Sequence, residues 1–288
     1  SKEPLYASII GNVINFCLNA FFLFVLHKGV AGVATATVIS RIINLVIVVL
    51  LGAVLVKAKQ HPERESNRAV MGQIIRIGLP SACETAIYNV SMTLVIRFLN
   101  QMDAQGLNVT ARSYTMQITN FSYCVGAALA QANAIMTGWH IGAKEYDACD
   151  RGTKKAAVIG VIVAVILETV FTLCSGWIMQ LFSKDPQMVS LVGKLLAIDI
   201  VLEIGRVTNL VYGQALKTSG DAVFPVVMGA CFMILCSVGG TYLFGIRLGL
   251  LAVGAYIGMT GDECVRAVGM YLRWKSGKWK EKGLVKSR

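Results

Sequence analysis

Five acidic residues lie near the middle of long apolar segments, where an ionised carboxylate is costly. They are Glu84, Glu168, Asp199, Glu203 and Asp262. A charge at the centre of a membrane-spanning helix costs about 3 kcal/mol on insertion scales. Such residues are kept where they face a packed interior, a water-filled path or a cation. The five acids therefore indicate passage of a solute through a membrane and not a soluble active site.

Glu84 follows Pro80 by about one helical turn. Proline lacks the backbone N–H that a helix needs and frees a carbonyl one turn earlier. Transporters build ion sites from side chains that lie next to interrupted backbone. Glu84 is therefore predicted to bind a coupling cation or the substrate, and the alternative is a buried structural partner.

Asp199 and Glu203 are four residues apart and share one helix face. Their depth, counted from the helix ends, is similar to that of Glu84. The three acids are predicted to hold Na+ through oxygen ligands, with a Na+ site between Glu84 and Asp199, or to share a proton. Glu203 and Arg206, at i and i+3, leave open a mutually satisfied ion pair.

Other polar residues in the apolar segments have local explanations. Asp262 and Arg266 are predicted to form a structural ion pair one turn apart, and Arg41 is predicted to pair across the boundary between two groups of helices. Glu168 lies alone in an otherwise apolar segment. It is predicted to be either a partner for another helix or a second proton site. Candidates for the lining of a polar cavity, each equally explained by an interhelical hydrogen bond, are Tyr88, Asn89, Asn120, Tyr123 and Gln131.

The elements that must position these residues are membrane-spanning helices. The hydrophobic fraction is 55% and the mean hydropathy is +0.63, which excludes an ordinary soluble domain. A span needs ~20 helical residues to cross a hydrocarbon core of ~30 Å. Eight segments are long enough, at residues 7–26, 30–56, 73–99, 110–137, 156–182, 188–216, 224–244 and 249–274. The fold class predicted is an all-α membrane protein with eight transmembrane helices.

The net charge of +11 is a signal of topology. If the loops alternate sides, most Lys and Arg fall on one side, and the other side holds only Lys28, Lys184 and Arg247. By the positive-inside rule, both termini are predicted to be cytoplasmic. The basic loops are expected to contact anionic membrane lipid, and a nucleic-acid partner is not indicated.

A polar stretch divides the chain. The predicted organisation has two helices in residues 1–56, a cytoplasmic linker in 57–72, a six-helix unit in 73–274 and a basic cytoplasmic tail in 275–288. Enzymatic function is not predicted, because no HExxH or GxSxG motif occurs. The eight cysteines form no CxxC pair and the three histidines lie at loops or helix ends, so no cofactor other than a coupling ion is expected.

An internal repeat relates the two ends. NAFFLFVLHKGVAGV (19–33) aligns with GGTYLFGIRLGLLAV (239–253), which pairs residue 29 with residue 249. Many transporters are built from such repeats. If each unit ends in this hairpin, the second unit has six helices and the first shows only its last two. Four more helices, upstream or in a partner chain, are then needed for a complete transporter.

Five segments resemble one family of transporters in order and spacing. They are GVAGVATATVISR (29–41), IGLPSACETAIYN (77–89), GWHIGAKEYDAC (138–149), LEIGRVTNLVYGQALKTSGD (202–221) and GDECVRAVGMYLRWKSGKW (261–279). Together they are similar to the multidrug and toxin extrusion (MATE) family, from its fifth helix to its twelfth. In this family, the first helix of the second six-helix unit usually carries an acidic residue. Its position lies about one turn beyond Glu84, where this chain has Tyr88.

The resemblance implies twelve helices in two six-helix lobes around a central cavity. It also implies cation-coupled (Na+ or H+) export of organic, cationic compounds by alternating access, in the plasma (inner) membrane of a bacterium. The alternative is a flippase for lipid-linked sugars or other lipids from the same superfamily. A flippase would favour a strongly cationic cavity that holds pyrophosphate.

Overall fold

The structure, a computed structural model, describes residues 3–58, 67–103 and 106–281. Within these ranges all regular structure is helical and no strand occurs. The chain divides into two compact units, Ser1–Asn67 and Arg68–Arg288. The division falls inside the predicted linker, of which residues 59–66 lie outside the described ranges, as do residues 282–288 of the predicted tail.

The N-terminal unit is a helical hairpin. Helix α1 (Glu3–Ala20) continues into a π-helical turn at Phe21–Val25, and α2 (Gly29–Ala58) packs back against it. A hydrogen bond from Asn15 Nδ2 to Ser40 Oγ, 2.8 Å long, joins the two helices. Such polar links between apolar helices fix their register where hydrophobic burial is weak.

The C-terminal unit contains the remaining helices. They are α3 (Asn67–Met102), α4 (Leu107–Gly142), α5 (Tyr146–Leu173), the short α6 (Ser175–Met179), α7 (Pro186–Thr218), α8 (Val223–Phe232) and α9 (Leu251–Lys275). π-Helical segments at Met233–Val238 and Thr241–Arg247 prolong α8, and a 3₁₀ turn at Lys278–Glu281 follows α9.

Long helical stretches occupy all eight predicted positions, so the predicted fold class is confirmed. Among the described residues, four stretches are long and apolar enough by themselves to cross a membrane: Tyr6–Val25, Gly29–Ala53, Tyr146–Leu173 and Val223–Arg247. The other four, α3, α4, α7 and α9, carry more polar residues. Helix α3 runs without interruption through Pro80, so the local break expected there is not present as a gap in the helix.

Helix α7 is the centre of the C-terminal unit and packs against α4, α5 and α9. One apolar cluster surrounds its first half, where Val192, Leu196 and Leu202 are fully buried. A second cluster surrounds its last turns, from Val207 to Leu216. The charged residues of α7 that could do chemistry lie where these two clusters meet. Apolar packing on both sides therefore holds their backbone rigid.

The outer face of the unit is apolar and exposed. On α5, for example, Val158, Ile162 and Ile166 are each more than half exposed. A continuous apolar surface of this kind is typical of a helix bundle whose solvent is lipid. Together with the helix lengths, it indicates an integral membrane protein.

The C-terminal end of α9 is held by two stacked tryptophans. Trp274 and Trp279 lie with ring centroids 4.2 Å apart and planes 8° from parallel. Trp279 Nε1 donates to the Trp274 carbonyl at 3.0 Å, and Trp274 Nε1 donates to Asp150 Oδ1 at 2.9 Å. The stack is buried and ties the end of α9 to the start of α5.

The loop before α4 is organised by a carboxylate. Asp103 Oδ1 accepts from the Leu107 N–H at 3.0 Å, and Oδ2 accepts from the Asn108 backbone and side chain. Burial opposes ionisation of Asp103, but these hydrogen bonds outweigh it and lower the pKa of the carboxyl. Asn108 Oδ1 in turn accepts from the Ala252 N–H at 3.1 Å, which joins the starts of α4 and α9.

The internal repeat is visible in backbone conformation. Each copy has a π-helical turn, then two residues with positive φ: His27 (49°) and Gly29 (54°) in the first copy, Gly249 (67°) and Leu251 (52°) in the second. The structure thus pairs residue 27 with residue 249. The sequence alignment, which paired residue 29 with 249, was wrong by two positions.

Hydrogen bonds support the corrected register. The Lys28 N–H donates to the Phe22 carbonyl at 3.1 Å, and at the corresponding positions the Leu250 N–H donates to the Phe244 carbonyl, also at 3.1 Å. The error arose because the sequence alignment was chosen to match identical residues near the turn. The corresponding backbone conformations are offset by two further residues. Backbone conformation is the stricter criterion here, since residues with positive φ are rare outside glycine.

We predict that Gly258→Ala destabilises the C-terminal unit. A Cβ at Gly258 would lie 2.9 Å from both the Cys236 carbonyl oxygen and the Gly240 carbonyl carbon, and backbone atoms cannot easily move away. The expected cost is about 1–3 kcal/mol, typical of overpacking. The measurement is the melting temperature of the detergent-solubilised protein.

The control for this variant is Gly261→Ala, one turn further along α9. A Cβ there meets nothing within 4 Å. We expect an unchanged or slightly higher melting temperature, because alanine loses less conformational freedom in a helix than glycine. Equal melting temperatures for the two variants would contradict the packing described.

Candidate functional site

Two cavities lie inside the C-terminal unit. The larger has a volume of about 610 Å³ and is bordered by α3, α4, α7, α8 and α9. The smaller has a volume of about 220 Å³ and is bordered by α3, α4, α7 and α9. Tyr88, Tyr123 and Arg206 belong to the lining of both, so the two cavities adjoin.

Glu84 lines the larger cavity and is already paired. Its Oε2 lies 2.6 Å from Lys217 Nζ, in the last turn of α7, and each side chain is about one fifth exposed (20% and 21%). The sequence placed Lys217 in a loop with the other topology-determining cations. Helix α7 in fact extends through it to Thr218, which brings the ammonium group into the cavity wall.

The structure does not bring Glu84 and Asp199 together. Lys217, the partner of Glu84, lies about five turns beyond Asp199 on α7, or about 27 Å at 1.5 Å per residue. Asp199 lines the smaller cavity and Glu84 does not. A single Na+ cannot contact both carboxylates in this arrangement. The prediction of a Na+ site shared by these two acids was therefore wrong. Equal numbers of residues counted from the helix ends do not give equal depth in the membrane when the helices differ in length.

Asp199 and Glu203 form a buried acidic pair on α7. Their exposed fractions are 2% and 0%. Arg206 Nη1 forms an ion pair with Glu203 Oε2 at 3.0 Å, but neither Glu203 oxygen has a partner in hydrogen-bond geometry among the described residues. Asp199 Oδ2 likewise has no hydrogen-bond partner among the described residues. The pair that the i, i+3 spacing left open is present, but it does not satisfy the carboxylates.

Glu168 on α5 joins this pair. It is fully buried, and Asp199, Glu203 and Arg206 are its charged neighbours. The Ser122 hydroxyl of α4 faces it, yet neither carboxylate oxygen reaches hydrogen-bond geometry within the described part of the chain. The sequence left Glu168 alone in an apolar helix. In the structure it forms, with Asp199 and Glu203, a cluster of three acids, called here the acidic cluster.

Glu263 connects α7 to α9 beside the acidic cluster. Its Oε1 lies 3.8 Å from Arg206 Nε and 2.9 Å from Arg266 Nη2, and its Oε2 accepts from Asn209 Nδ2 at 3.0 Å. This approach depends on Gly205, where a Cβ would meet the backbone of Glu263 and its neighbour at 2.9 Å. Glycine therefore lets the two helices touch at the level of the charges.

Asp262 and Arg266 form the predicted ion pair of α9. Arg266 Nε donates to Asp262 Oδ1 at 2.8 Å and Nη2 donates to Oδ2 at 3.0 Å. Ser237 Oγ, from the π-helical segment, adds a third bond to Oδ2 at 2.9 Å. Both side chains are buried and fully hydrogen-bonded to one another, which fits a structural role.

The other predicted residues separate by position. Tyr88, Asn89 and Tyr123 line the larger cavity, and Asn120 lines the smaller one. Gln131 is exposed and belongs to neither lining. Arg41 is exposed on α2, in the other compact unit, and its pairing stays a prediction.

Three functional candidates were missed by sequence reasoning or given another role: Glu263, Lys217 and Arg112. Glu263 was given no role of its own beside Asp262, although it stands three residues before Arg266. Arg112 lies near the start of the predicted span 110–137, a position typical of an anchor that reaches the membrane surface, but it is 5% exposed and lines the smaller cavity. Its place in the second turn of α4 gave no signal of burial.

The charges in this region do not balance. The acidic cluster holds three carboxylates, and the one arginine among its neighbours, Arg206, also approaches Glu263. An ionised carboxylate without a partner is very costly inside a protein. The arrangement is therefore suited to taking up a positive charge, either a proton or another cation, and to releasing it when the surroundings change.

Comparison with known proteins gives consistent matches. The MatE family model matches residues 80–243. The uncharacterized transporter YisQ of Bacillus subtilis is 33% identical over 99% of this chain and 64% of its own length. The probable multidrug resistance protein NorM of Pasteurella multocida is 21% identical over 96% of this chain and 62% of its own.

A solved structure matches the fold. The eukaryotic MATE transporter AtDTX14 superposes with a TM-score of 0.83 at 19% identity, covering 97% of this chain and 63% of that protein. The chain thus spans slightly less than two thirds of the length of each of these three relatives. The predicted resemblance and the predicted absence of enzymatic character agree with these matches, which are to transporters.

We predict that Asp262→Asn destabilises the protein by about 3 kcal/mol, because it leaves Arg266 with a poorer buried partner. The melting temperature in detergent measures this. Lys154→Gln is the control, since it removes an exposed pair with Asp150 and should leave the melting temperature unchanged. Similar losses in both variants would show that the α9 pair has no special structural role.

Proposed function

The chain belongs to the multidrug and toxin extrusion (MATE) family, and on that premise we propose that it forms part of a cation-coupled secondary exporter of organic compounds. The complete transporter would include further helices, since the relatives are longer than this chain. We place it in the plasma (inner) membrane of a bacterium, with both termini cytoplasmic, from the distribution of basic residues.

The observation that carries the proposal is the acidic cluster. Glu168, Asp199 and Glu203 are at most 2% exposed, and each has at least one oxygen without a hydrogen-bond partner among the described residues. A fold that serves only as a scaffold gains nothing from such groups, because apolar residues of similar volume are at least as stable. A coupling site needs them, since its task is to bind and release charge.

We propose that the coupling ion is a proton. Within the described residues no group of three acidic, histidine or cysteine side chains is arranged to hold a metal ion. A proton needs only one carboxylate and neutralises it in place. Protonation of the acidic cluster would remove the repulsion among its members. Loss of the proton would favour a state of the transporter in which the cluster reaches water.

Arg206 would transmit this change. It touches Glu203 at 3.0 Å, approaches Glu263 at 3.8 Å and lies 6.0 Å from the ring centre of Tyr123. When the acidic cluster is neutral, Arg206 is free to favour Glu263 on α9. When the cluster is charged, Arg206 favours Glu203 on α7. The guanidinium thus couples protonation to the contact between two helices and to the wall of both cavities.

The larger cavity is proposed to receive the substrate. Its volume of about 610 Å³ is within the range of sites for drug-sized ligands, and Tyr88 and Tyr123 supply aromatic faces for an organic cation. Glu84 is the carboxylate in this lining that a cationic substrate would reach by displacing Lys217. Glu84 is therefore assigned to the substrate and the acidic cluster to the coupling ion.

The flippase alternative gains no support from the larger cavity. Its three basic side chains, Arg206, Lys217 and Arg266, each lie within 3.0 Å of a carboxylate oxygen. A site for lipid pyrophosphate would present cations that are not already paired. The larger cavity therefore favours export of organic compounds.

We predict that Glu168→Gln abolishes transport driven by a pH gradient. The amide keeps the size of the carboxyl but cannot release a proton, so the coupling cycle stops. In everted vesicles containing the full-length protein, uptake of a fluorescent organic cation should fall to the background level. Exchange of labelled for unlabelled dye without a gradient should persist.

The matched control is Glu145→Gln, which changes an exposed acid paired with His140 outside both cavities. It should transport at the wild-type rate. A wild-type response to the pH gradient in Glu168→Gln would refute the assignment of the acidic cluster.

We predict that Glu84→Gln acts on affinity instead. Loss of the charged contact should raise the KM for the organic cation about tenfold, since a hydrogen bond to a charged group contributes ~1.5–3 kcal/mol. The dependence of the maximal rate on the pH gradient should be preserved. A Glu84→Gln protein that inserts normally, with unchanged KM but no response to the gradient, would move the coupling role from the acidic cluster to Glu84.

A further inference from the structure

Arg112 is a buried arginine without an acidic partner. It is 5% exposed, in the second turn of α4. Its Nη2 contacts Met92 Sδ at 3.5 Å, and its Nε has no hydrogen-bond partner in the described part of the chain. No carboxylate in the described ranges lies within salt-bridge distance of it, whereas the buried Arg266 and the partly exposed Arg206 each contact acids.

An unpaired guanidinium at this position has one physical complement. Arginine stays protonated in proteins, so it cannot escape the cost of burial by losing its charge. A thioether is a weak acceptor and does not offset that cost. The group that does so is an anion with two oxygens, because a carboxylate matches the guanidinium fork with two parallel hydrogen bonds.

Arg112 faces a cavity that has room for such an anion. It lines the smaller cavity, of about 220 Å³, together with Asp199, whose Oδ2 is also unpartnered. The two residues form no ion pair with each other, so the cavity presents a free positive group and a free carboxylate oxygen. The guanidinium is therefore complementary to the carboxylate of a solute placed in this cavity.

The shape of the cavities fits this solute. The smaller cavity is too small for a drug-sized molecule but accepts a charged end, and Met92, Met116 and Met259 provide adaptable apolar walls beside it. It adjoins the larger cavity at Tyr88, Tyr123 and Arg206. A molecule can therefore place its carboxylate against Arg112 and its aromatic body in the larger cavity.

We propose that the smaller cavity is a carboxylate subsite for amphoteric organic solutes, with Arg112 as the residue that binds the carboxylate. The inference rests on the proposed export function for its biological meaning, but binding can be measured without transport. It assigns a binding residue to the carboxylate of compounds that join a cationic group to a carboxylate. Arg112 determines specificity in this scheme and takes no part in coupling.

The test compares two dyes that differ in one group. A rhodamine with a free benzoate carboxyl is amphoteric, and its methyl ester is a simple cation of nearly the same shape. Fluorescence anisotropy measures the binding of each to the purified full-length protein in lipid nanodiscs. We expect Arg112→Gln to weaken binding of the free acid at least ~10-fold and to change binding of the ester less than ~2-fold.

Two further variants make the result specific. Arg97→Gln removes an exposed arginine of α3 that lines neither cavity and should leave both dyes unaffected. Arg112→Lys keeps the charge but not the planar fork, so it should recover part of the affinity for the free acid and no more. It also supplies a folded variant if Arg112→Gln does not insert.

The outcomes separate this inference from the proposed function. The carboxylate subsite is overturned if Arg112→Gln weakens binding of both dyes equally. It is also overturned if the Arg112 variants do not change the relative binding of the free acid and the ester. Loss of pH-driven transport leaves the dye comparison intact, since binding needs no gradient. Conversely, selective loss of the free acid supports the subsite even if Glu168→Gln transports normally and the coupling proposal fails.

Discussion

One guanidinium, that of Arg206, connects most of the polar interior of the C-terminal unit. It is held between Glu203 on its own helix and Glu263 on α9, and the field of Asp199 and Glu168 acts on the same place. Several other features of the region meet at this position. Gly205 brings α9 close enough for Glu263 to reach, the two apolar clusters keep α7 rigid on either side, and both cavities open against the same side chain.

The polar residues of the unit form two kinds of contact with different consequences. Asp262 and Arg266 satisfy each other through two hydrogen bonds, with a third from Ser237, and so behave as part of the scaffold. The acidic cluster is left incomplete, with oxygens that have no hydrogen-bond partner among the described residues. Completed pairs make a rigid frame, and the incomplete cluster is the part of that frame to which we assign a change of charge state.

Much of this architecture could be predicted from sequence because membranes impose simple rules. Helix length, apolar composition and the i, i+4 relation of Asp262 to Arg266 were enough for the eight helices and the ion pair. The failures concern depth and partners across helices. Counting from the helix ends placed Glu84 and Asp199 at the same depth in the membrane. In the structure Glu84 pairs with Lys217, which lies about five turns beyond Asp199 along α7. No local pattern shows that Glu168 on α5 faces α7, since that depends on how two helices rotate against each other.

The paired hairpins have a consequence for how this protein has diverged. At the first left-handed position one copy has His27 and the other Gly249, and at the second the order is reversed, with Gly29 and Leu251. Each copy therefore keeps one glycine and tolerates one strained residue, at opposite places. The duplicated halves have preserved the shape of a bend while exchanging the residues that make it. The relation between the two copies is thus clearer in their backbone torsion angles than in their amino-acid identities.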